Sequence, residues 1–279
     1  MTAENLILER HLTIEKPGIN ACEYLSTATG LSRQRVKQAM FKGAVWLSHN
    51  KHTRRLRRAS KTLDRGDTLH LYYNERILST TPASAQLIAD EKAYSIWYKP
   101  CGMFSQGSKW GDHCTINRWA EQYLQPQRLA FIVHRLDRAA SGLILIAHQK
   151  QTAAALAKLF QDRHIEKVYR AIVHGQFPVL SQTLDSNIEG RSACSTATLI
   201  KYDPEKNCSL LEIMIDSGRK HQIRRHLAEC GFPVVGDRLY GNNDNSTDLQ
   251  LTAIRLSFTC PVSSLQKCFL LDEHLAPHL

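Results

Sequence analysis

The apolar positions of the chain recur with two different periods. In LLEIMID, Leu211, Ile213 and Ile215 alternate with Glu212, Met214 and Asp216, the two-residue period of a half-buried strand. TLHLYY alternates in the same way, VWLS reads as a short strand, and AYSIWYKP reads as a strand that ends on its proline. KVYRAIVHG is a strand stopped by Gly175, and LILIA after Ser141 and Gly142 is a continuous apolar run of the kind buried on both faces. Three stretches show the helical period instead. Ala153, Leu156, Leu159 and Phe160 form a stripe within 150–162, and Ile223, Leu227 and Cys230 form one within 220–230, with Gly231 as C-cap. Val36, Ala39 and Met40 form the third, in a helix over Arg33–Lys42 that Ser32 can N-cap and Gly43 can close. Strands outnumber helices and their order is irregular. The expected class is α+β, with a mixed, mainly antiparallel sheet and a small α/β module in front of it.

The 279 residues divide accordingly. Residues 1–76 are read as the small module, ILSTTPASAQ opens a linker over 77–88, and 89–279 form the larger domain. The start has early acids and no long apolar run, and nothing approaches the roughly 18 apolar residues of a membrane span. A cytoplasmic protein without a membrane partner is expected, and nothing suggests more than a monomer. The eight cysteines contain no CxxC pair, so reduced thiols packing as small apolar groups are expected, with no metal site.

Charge adds a partner class. The chain carries 36 Lys and Arg against 26 Asp and Glu, a formal +10. Residues 1–80 hold 14 basic and 7 acidic residues, which accounts for +7 of it. Eleven basic residues and a single acid, Asp64, lie between Arg33 and Arg65. A local basic patch of this kind suits a polyanion, with nucleic acid the first candidate. Helix-turn-helix and zinc-finger patterns are absent, which argues against a DNA-binding protein.

No cofactor motif survives inspection. GMFSQGSKW (102–110) approaches a phosphate-binding loop, but its lysine is one place late and no hydroxyl follows it. GxGxxG, a nucleophile elbow and the kinase set are missing. His274 and His278 are four apart, but Pro277 separates them.

HRLDRAASG (134–142) remains. It places Asp137 beside His134, Arg135 and Arg138. Taken alone, Asp137 reads as a surface acid. YKPCG (98–102) precedes it, and KVYRAIVHG (167–175), SGRKHQIRRHL (217–227) and FPVVGDRLYG (232–241) follow in order. Together these segments resemble the RluA-type pseudouridine synthases over residues 90–260. Three positions depart from that pattern: Ala140 stands for a threonine, Ser217 keeps the hydroxyl of one, and LTAI (251–254) replaces an LHA element. Within 20–76, the helix, basic loop and GD turn resemble the alpha-L RNA-binding module, with SHNKHTRRLRRASK in place of a short hairpin.

The resemblance implies an enzyme that isomerises uridine in RNA to pseudouridine without a cofactor. It implies Asp137 as the carboxylate acting on the ribose, as nucleophile at carbon 1 or base at carbon 2. It further implies Arg224 as the cation that keeps and orients that carboxylate, Tyr169 as the ring on the uracil with a hydroxyl that can help remove the proton at carbon 5, and Ile223 as an apolar wall. A target uridine in folded RNA must be extruded. Arg135 is expected to fill the vacated space or clamp the flanking backbone, and Arg219, Lys220 and His221 to hold phosphates. Arg33 and Lys37 on the helix, with Arg54, Arg55, Arg57 and Arg58 in the loop, are the expected RNA contacts of the module. Ribosomal large-subunit RNA is the favoured target and transfer RNA the alternative. A non-catalytic RNA-binding or ribosome-assembly protein on the same fold is the competing reading.

Overall fold

The computed structural model describes residues 6–241 and 247–279. Residues 1–5, part of the start read for a leader, lie outside the described residues. The chain divides into two compact units. One comprises Met1–Pro82 with Gln106–Trp119, the other Ala83–Ser105 with Ala120–Leu279.

The first unit is a four-stranded antiparallel sheet backed by two helices. In chain order its elements are β1 (Ile7–Thr13), α1 (Ala21–Thr29), α2 (Arg33–Phe41), β2 (Val45–His49), β3 (His52–Arg55), β4 (Thr68–Asn74) and α3 (Glu75–Ser79). The strand order is β1-β4-β2-β3. Leu69, Leu71 and Tyr73 of β4 and Val45 and Leu47 of β2 pack against Leu25, Val36, Ala39 and Met40, so the alternation seen in TLHLYY is that of a strand with one face on the helices. Ser32 accepts from the amide of Arg35 at the start of α2, as the capping rule expects.

The larger unit is built on one ten-stranded sheet. Its elements are β5 (Gln86–Asp90), β6 (Tyr94–Lys99), α4 (Ile116–Tyr123, which crosses the unit boundary in sequence), β7 (Phe131–Ile132), β8 (Ser141–Ala147), α5 (Lys150–Gln161), β9 (Glu166–His174), β10 (Ser181–Leu184), β11 (Ser195–Asp203), β12 (Cys208–Ile215), α6 (Gln222–Glu229), β13 (Leu251–Thr259) and β14 (Gln266–Leu270). The main path runs β10-β11-β12-β9-β13-β8-β6-β5. Among the described residues only the β8–β13 pair is parallel, so the sheet is mixed and mainly antiparallel, as the irregular order of strands predicts. Among the described residues no helix is long and apolar enough to cross a membrane.

Two boundaries differ from the sequence reading. The stretch read as linker, 77–88, carries the end of α3 and the start of β5. Asn74 caps α3 by accepting from the amide of Ile77, a capping signal that sits inside the preceding strand. Segment 106–119 belongs with the first unit although it lies far along the chain. Asp112 explains this: it is buried and salt-bridged to Arg55 at 3.1 Å and Arg57 at 2.5 Å.

The parallel β8–β13 contact sets the position of the loop before β8. Gly142 pairs with Ala253 at φ +110°, and a Cβ there would lie 2.3 Å from the carbonyl oxygen of Ala253 and 2.4 Å from its nitrogen. Backbone stands where any side chain would go, so glycine is required by close approach. Gly142→Ala should therefore destabilise the protein by at least ~2 kcal/mol in urea unfolding, and a loss under about 0.5 kcal/mol would contradict this account.

Candidate active site

Asp137 lies in the loop between β7 and β8, and that loop is fastened at several backbone points. The Ser105 hydroxyl donates to the carbonyl of Leu136 at 2.7 Å and accepts from its amide at 3.0 Å. The Gly102 amide donates to the carbonyl of Arg138 at 2.8 Å. Lys99, fully buried at the end of β6, donates to the carbonyls of Pro100 at 3.0 Å, Met103 at 2.9 Å and Arg138 at 3.4 Å. Desolvation drives its pKa down to about 8, against smaller opposing effects of Cys101 and Asp137. His134, which begins the motif, is not a cation: burial, then Lys167, push it down to about 3. Its ring stacks on Phe160 at 4.3 Å and accepts from the amide of Leu145.

The cation for Asp137 comes from α6. Arg224 is buried, and its Nη1 is 3.3 Å from Asp137 Oδ2. The other side of the guanidinium is held by Asp237, with Nε to Oδ2 at 2.7 Å and Nη2 to Oδ1 at 2.6 Å. Asp237 is completely buried and also accepts from the amides of Leu239 and Tyr240. Burial alone would raise its pKa, but the bonds from Arg224 and these amides outweigh that and hold it below the usual value. The bidentate contact fixes the plane of Arg224 and leaves Nη1 for Asp137. Asp137 remains 28% exposed, so its carboxylate is open to a ligand.

His221 completes the surroundings of the acid. It caps α6 in the left-handed region at φ +56°, and its Nε2 is 3.8 Å from Asp137 Oδ1. Its Nδ1 is 2.9 Å from the Tyr240 hydroxyl, which accepts from Arg225 Nε at 3.0 Å. Because Arg225 can only donate, the tyrosine hydrogen is free to go to Nδ1. The tautomer this favours places Nε2–H toward the carboxylate. Burial lowers the pKa of His221, with Asp137 opposing and Arg224, Lys220 and Arg225 reinforcing. Gln222 ties the approach to α6: its Oε1 accepts from the Ser217 hydroxyl and the Arg219 amide, and its amide nitrogen donates to Cys194 O.

A cavity of about 70 Å³ opens beside Asp137, lined by Tyr169, Ile223, Leu251 and Arg135 among others. Tyr169 comes from β9 and Ile223 from α6, so two distant motifs line one cavity with Asp137. Burial, then the charge of Asp137, raise the Tyr169 pKa, and the phenol is neutral at physiological pH. A second cavity of about 450 Å³ shares Asp137 and is lined by Arg138, Arg238 and His221. Arg135 and Lys220 are exposed, and Arg219 donates to Ser192 O. Ser141 and Thr252, the latter in the segment where LTAI departs from the family pattern, are joined through their hydroxyls at 2.7 Å.

The module cations divide into two kinds. Lys37, Arg54 and Arg58 are exposed, and Arg33 is exposed but paired with Glu23. Arg55 and Arg57 face inward: they hold Asp112 and donate to the carbonyls of Gly43, Ser108 and Phe41. Both guanidiniums neutralise the buried carboxylate of Asp112, which lies more than fifty residues away. The sequence reading also gave no role to Asp237, Tyr240 or Lys99, although GDRLYG and YKPCG contain them.

Residues 93–229 match the family model described as RNA pseudouridylate synthase. The chain is 30% identical over 212 residues to the dual-specificity RNA pseudouridine synthase RluA of Vibrio vulnificus, covering 68% of this chain and 83% of that one. The chain belongs to the RluA-type RNA pseudouridine synthases. It is 31% identical over 162 residues to ribosomal large subunit pseudouridine synthase D of Zymomonas mobilis, covering 50% of this chain and about half, 51%, of that one. The fold matches human RNA pseudouridylate synthase domain containing 1, with a TM-score of 0.60 and 19% identity over 70% of this chain and 86% of that one. The protein is thus an isomerase whose substrate is RNA.

Two measurements test this geometry. Asp237→Asn leaves Arg224 buried without its main charge partner, and should cost about 3 kcal/mol in denaturant unfolding; a loss under about 1 kcal/mol would contradict the role of the pair. Lys99 releases its proton near pH 8 in the folded chain but near 10.5 when unfolded. Between those values the unfolded state binds more protons, so the contribution of Lys99 to stability rises with pH. The stability of wild type relative to Lys99→Met should improve across that window, and a pH-independent difference would contradict it.

Proposed function

We propose that this synthase modifies ribosomal large-subunit RNA, with Asp137 as the group that reacts at the ribose of an extruded uridine. The observation that carries the reading is the half-exposed Asp137 carboxylate held between buried Arg224 and His221 at the mouth of the Tyr169 cavity. The Zymomonas relative named for the large ribosomal subunit supports the target.

The bond between ribose carbon 1 and uracil nitrogen 1 breaks, and carbon 1 rejoins the base at carbon 5. One proton leaves carbon 5 and one arrives at nitrogen 1, so no redox partner or phosphate donor is needed. Arg224 holds the Asp137 carboxylate in place through a directed N–H at 3.3 Å. Tyr169, neutral in the free site through burial and Asp137, supplies a ring face for uracil and a hydroxyl to assist removal of the proton at carbon 5. Ile223 and Leu251 form the apolar walls that keep water from the freed base. Arg135, at the rim, fills the space left in the RNA when the uridine swings out, at an unstacking cost of a few kcal/mol. Arg219 and Lys220, with Arg138 and Arg238 around the wider cavity, hold the flanking phosphates. His221 lies deeper and orients the carboxylate. Lys37, Arg54 and Arg58 add affinity that does not depend on sequence.

Pseudouridine mapping of total RNA from cells with and without the gene tests the target. One or more large-subunit uridines should lose the modification, and a plasmid carrying wild type but not Asp137→Asn should restore it. A change confined to transfer RNA would overturn the target, and no change at any uridine would overturn the activity. The triple substitution of Lys37, Arg54 and Arg58 to Ala should reduce the dependence of log affinity on log salt by about 2 to 3. An unchanged slope would remove these cations from the interface.

A further inference from the structure

The first unit has a second side that the reaction does not use. The helices α1 and α2 cover one face of its sheet, and the alternation of β4 and β2 sends His70, Tyr72, Trp46 and Ser48 to the other. Register completes that open face. His11 on β1 stands opposite His70 on β4, His70 opposite Trp46 on β2, and Trp46 opposite Arg55 on β3. A row of three rings ending in a cation therefore crosses all four strands. Tyr72 lies in the next row, and Trp110 from segment 106–119 packs on it edge to face at 5.9 Å. The rings touch in sequence: His11 meets His70 at 5.0 Å and Tyr72 at 5.7 Å. Arg55 lies 4.2 Å over Trp46, and Lys109 lies 4.8 Å over Tyr72 and 5.2 Å over Trp110.

None of these groups belongs to the apolar core. His11 and Lys109 are exposed, and Trp46, His70, Tyr72 and Trp110 are half-buried. A sheet face that needed only to be soluble would carry Lys, Glu and Thr, whereas this one concentrates aromatic rings. Glu9 on this face is neutralised by Lys109 at 2.9 Å. The edge strand β3 adds His52 and Arg54 on its other side. Rings with cations beside them, and no uncompensated carboxylate among the described residues of this face, match the stacking of unpaired bases with phosphates along a basic edge. They suit neither a basic peptide nor a purely apolar partner. Duplex RNA offers its phosphates and 2′-hydroxyls but hides the faces of its bases.

We propose that the open face of the β1-β4-β2-β3 sheet is a stacking platform for unpaired nucleotides of the RNA substrate, separate from the uridine site and from the cations of α2. This rests on the chain acting on RNA, but not on which RNA it modifies. The rings grip single-stranded segments with little regard to sequence, because every base has a π-face.

The test uses the full chain and fluorescein-labelled RNA of about twelve nucleotides, within the span that such platforms cover, unstructured or annealed to its complement. His11→Ala combined with His70→Ala should weaken single-strand binding at least about fivefold, the lower end of one lost base stack, and leave duplex binding within about twofold. Unchanged single-strand affinity, or an equal loss for the duplex, would overturn the platform. So would displacement of the RNA by polyglutamate as readily as by unlabelled RNA, which would assign the face to acidic protein. Should the double variant not fold, wild type crosslinked to RNA carrying 4-thiouridine gives the answer. Crosslinks at Trp46, Tyr72 or Trp110 support the proposal, and their absence from this face overturns it. Conversion of uridine by wild type is followed in parallel. Its failure would overturn the RNA reading, whereas normal conversion with unaltered single-strand binding would remove only the platform.

Discussion

The buried pair of Arg224 and Asp237 is the constraint on which the rest of the site depends. Taking both charges out of water costs several kcal/mol per ion. Two short parallel hydrogen bonds and two backbone amides on Asp237 offset that cost. What results is less a source of net stability than a fixed direction. With Nε and Nη2 committed to Asp237, the guanidinium cannot rotate, and Nη1 has one place to point. Asp137 lies there, at 3.3 Å. The contact between Arg224 and Asp137 is therefore set in place before any RNA arrives, the kind of fixed geometry that electrostatic preorganisation requires.

A fixed arginine is useful only if the carboxylate is fixed as well, and Asp137 sits in a loop. The loop is made rigid from outside itself. Lys99 and Ser105 hold the backbone on either side of Asp137, and the strand that follows is locked to β13 where Gly142 lets two backbones meet. His221, strained into a left-handed conformation and oriented through Tyr240, faces the remaining oxygen. Strain of about 1–3 kcal/mol at such a residue persists only where its surroundings over-determine it, and the hydrogen-bonded line Arg225–Tyr240–His221 supplies those surroundings.

The sequence was most legible where packing decides structure. The alternation in LLEIMID and TLHLYY and the apolar run after Gly142 gave strands β12, β4 and β8, and the ordered motifs indicated that residues some ninety positions apart share a site. It was least legible where the reason for a residue lies elsewhere in the chain. Strand β1 is exposed along most of its length, so its polar pattern carries no strand signal, yet pairing with β4 orders it. Arg55 and Arg57 looked like surface cations because Asp112, the acid they neutralise, is distant in sequence. His134 stands beside two arginines in its motif, and nothing local shows that its ring stacks on Phe160 and accepts from the amide of Leu145. Asp237 stood inside a motif without a role, because nothing local shows that its carboxylate reaches back to Arg224. In each case local composition describes the residue, and tertiary context decides its charge state and use.

The two units differ in kind: the larger holds a few charges in fixed geometry around Asp137, and the smaller carries exposed cations and aromatic rings on its sheet. The central claim is that Asp137, held by Arg224, reacts at the ribose. Single-turnover release of tritium from uridine labelled at carbon 5, in RNA that the enzyme modifies, tests it most directly when run beside direct RNA binding. Asp137→Asn should release tritium at least about 10³-fold more slowly than wild type, while binding the same RNA within a few-fold. Release within about tenfold of wild type by a folded Asp137→Asn protein would contradict the account, because less than about 1.4 kcal/mol of barrier lowering would then depend on that carboxylate.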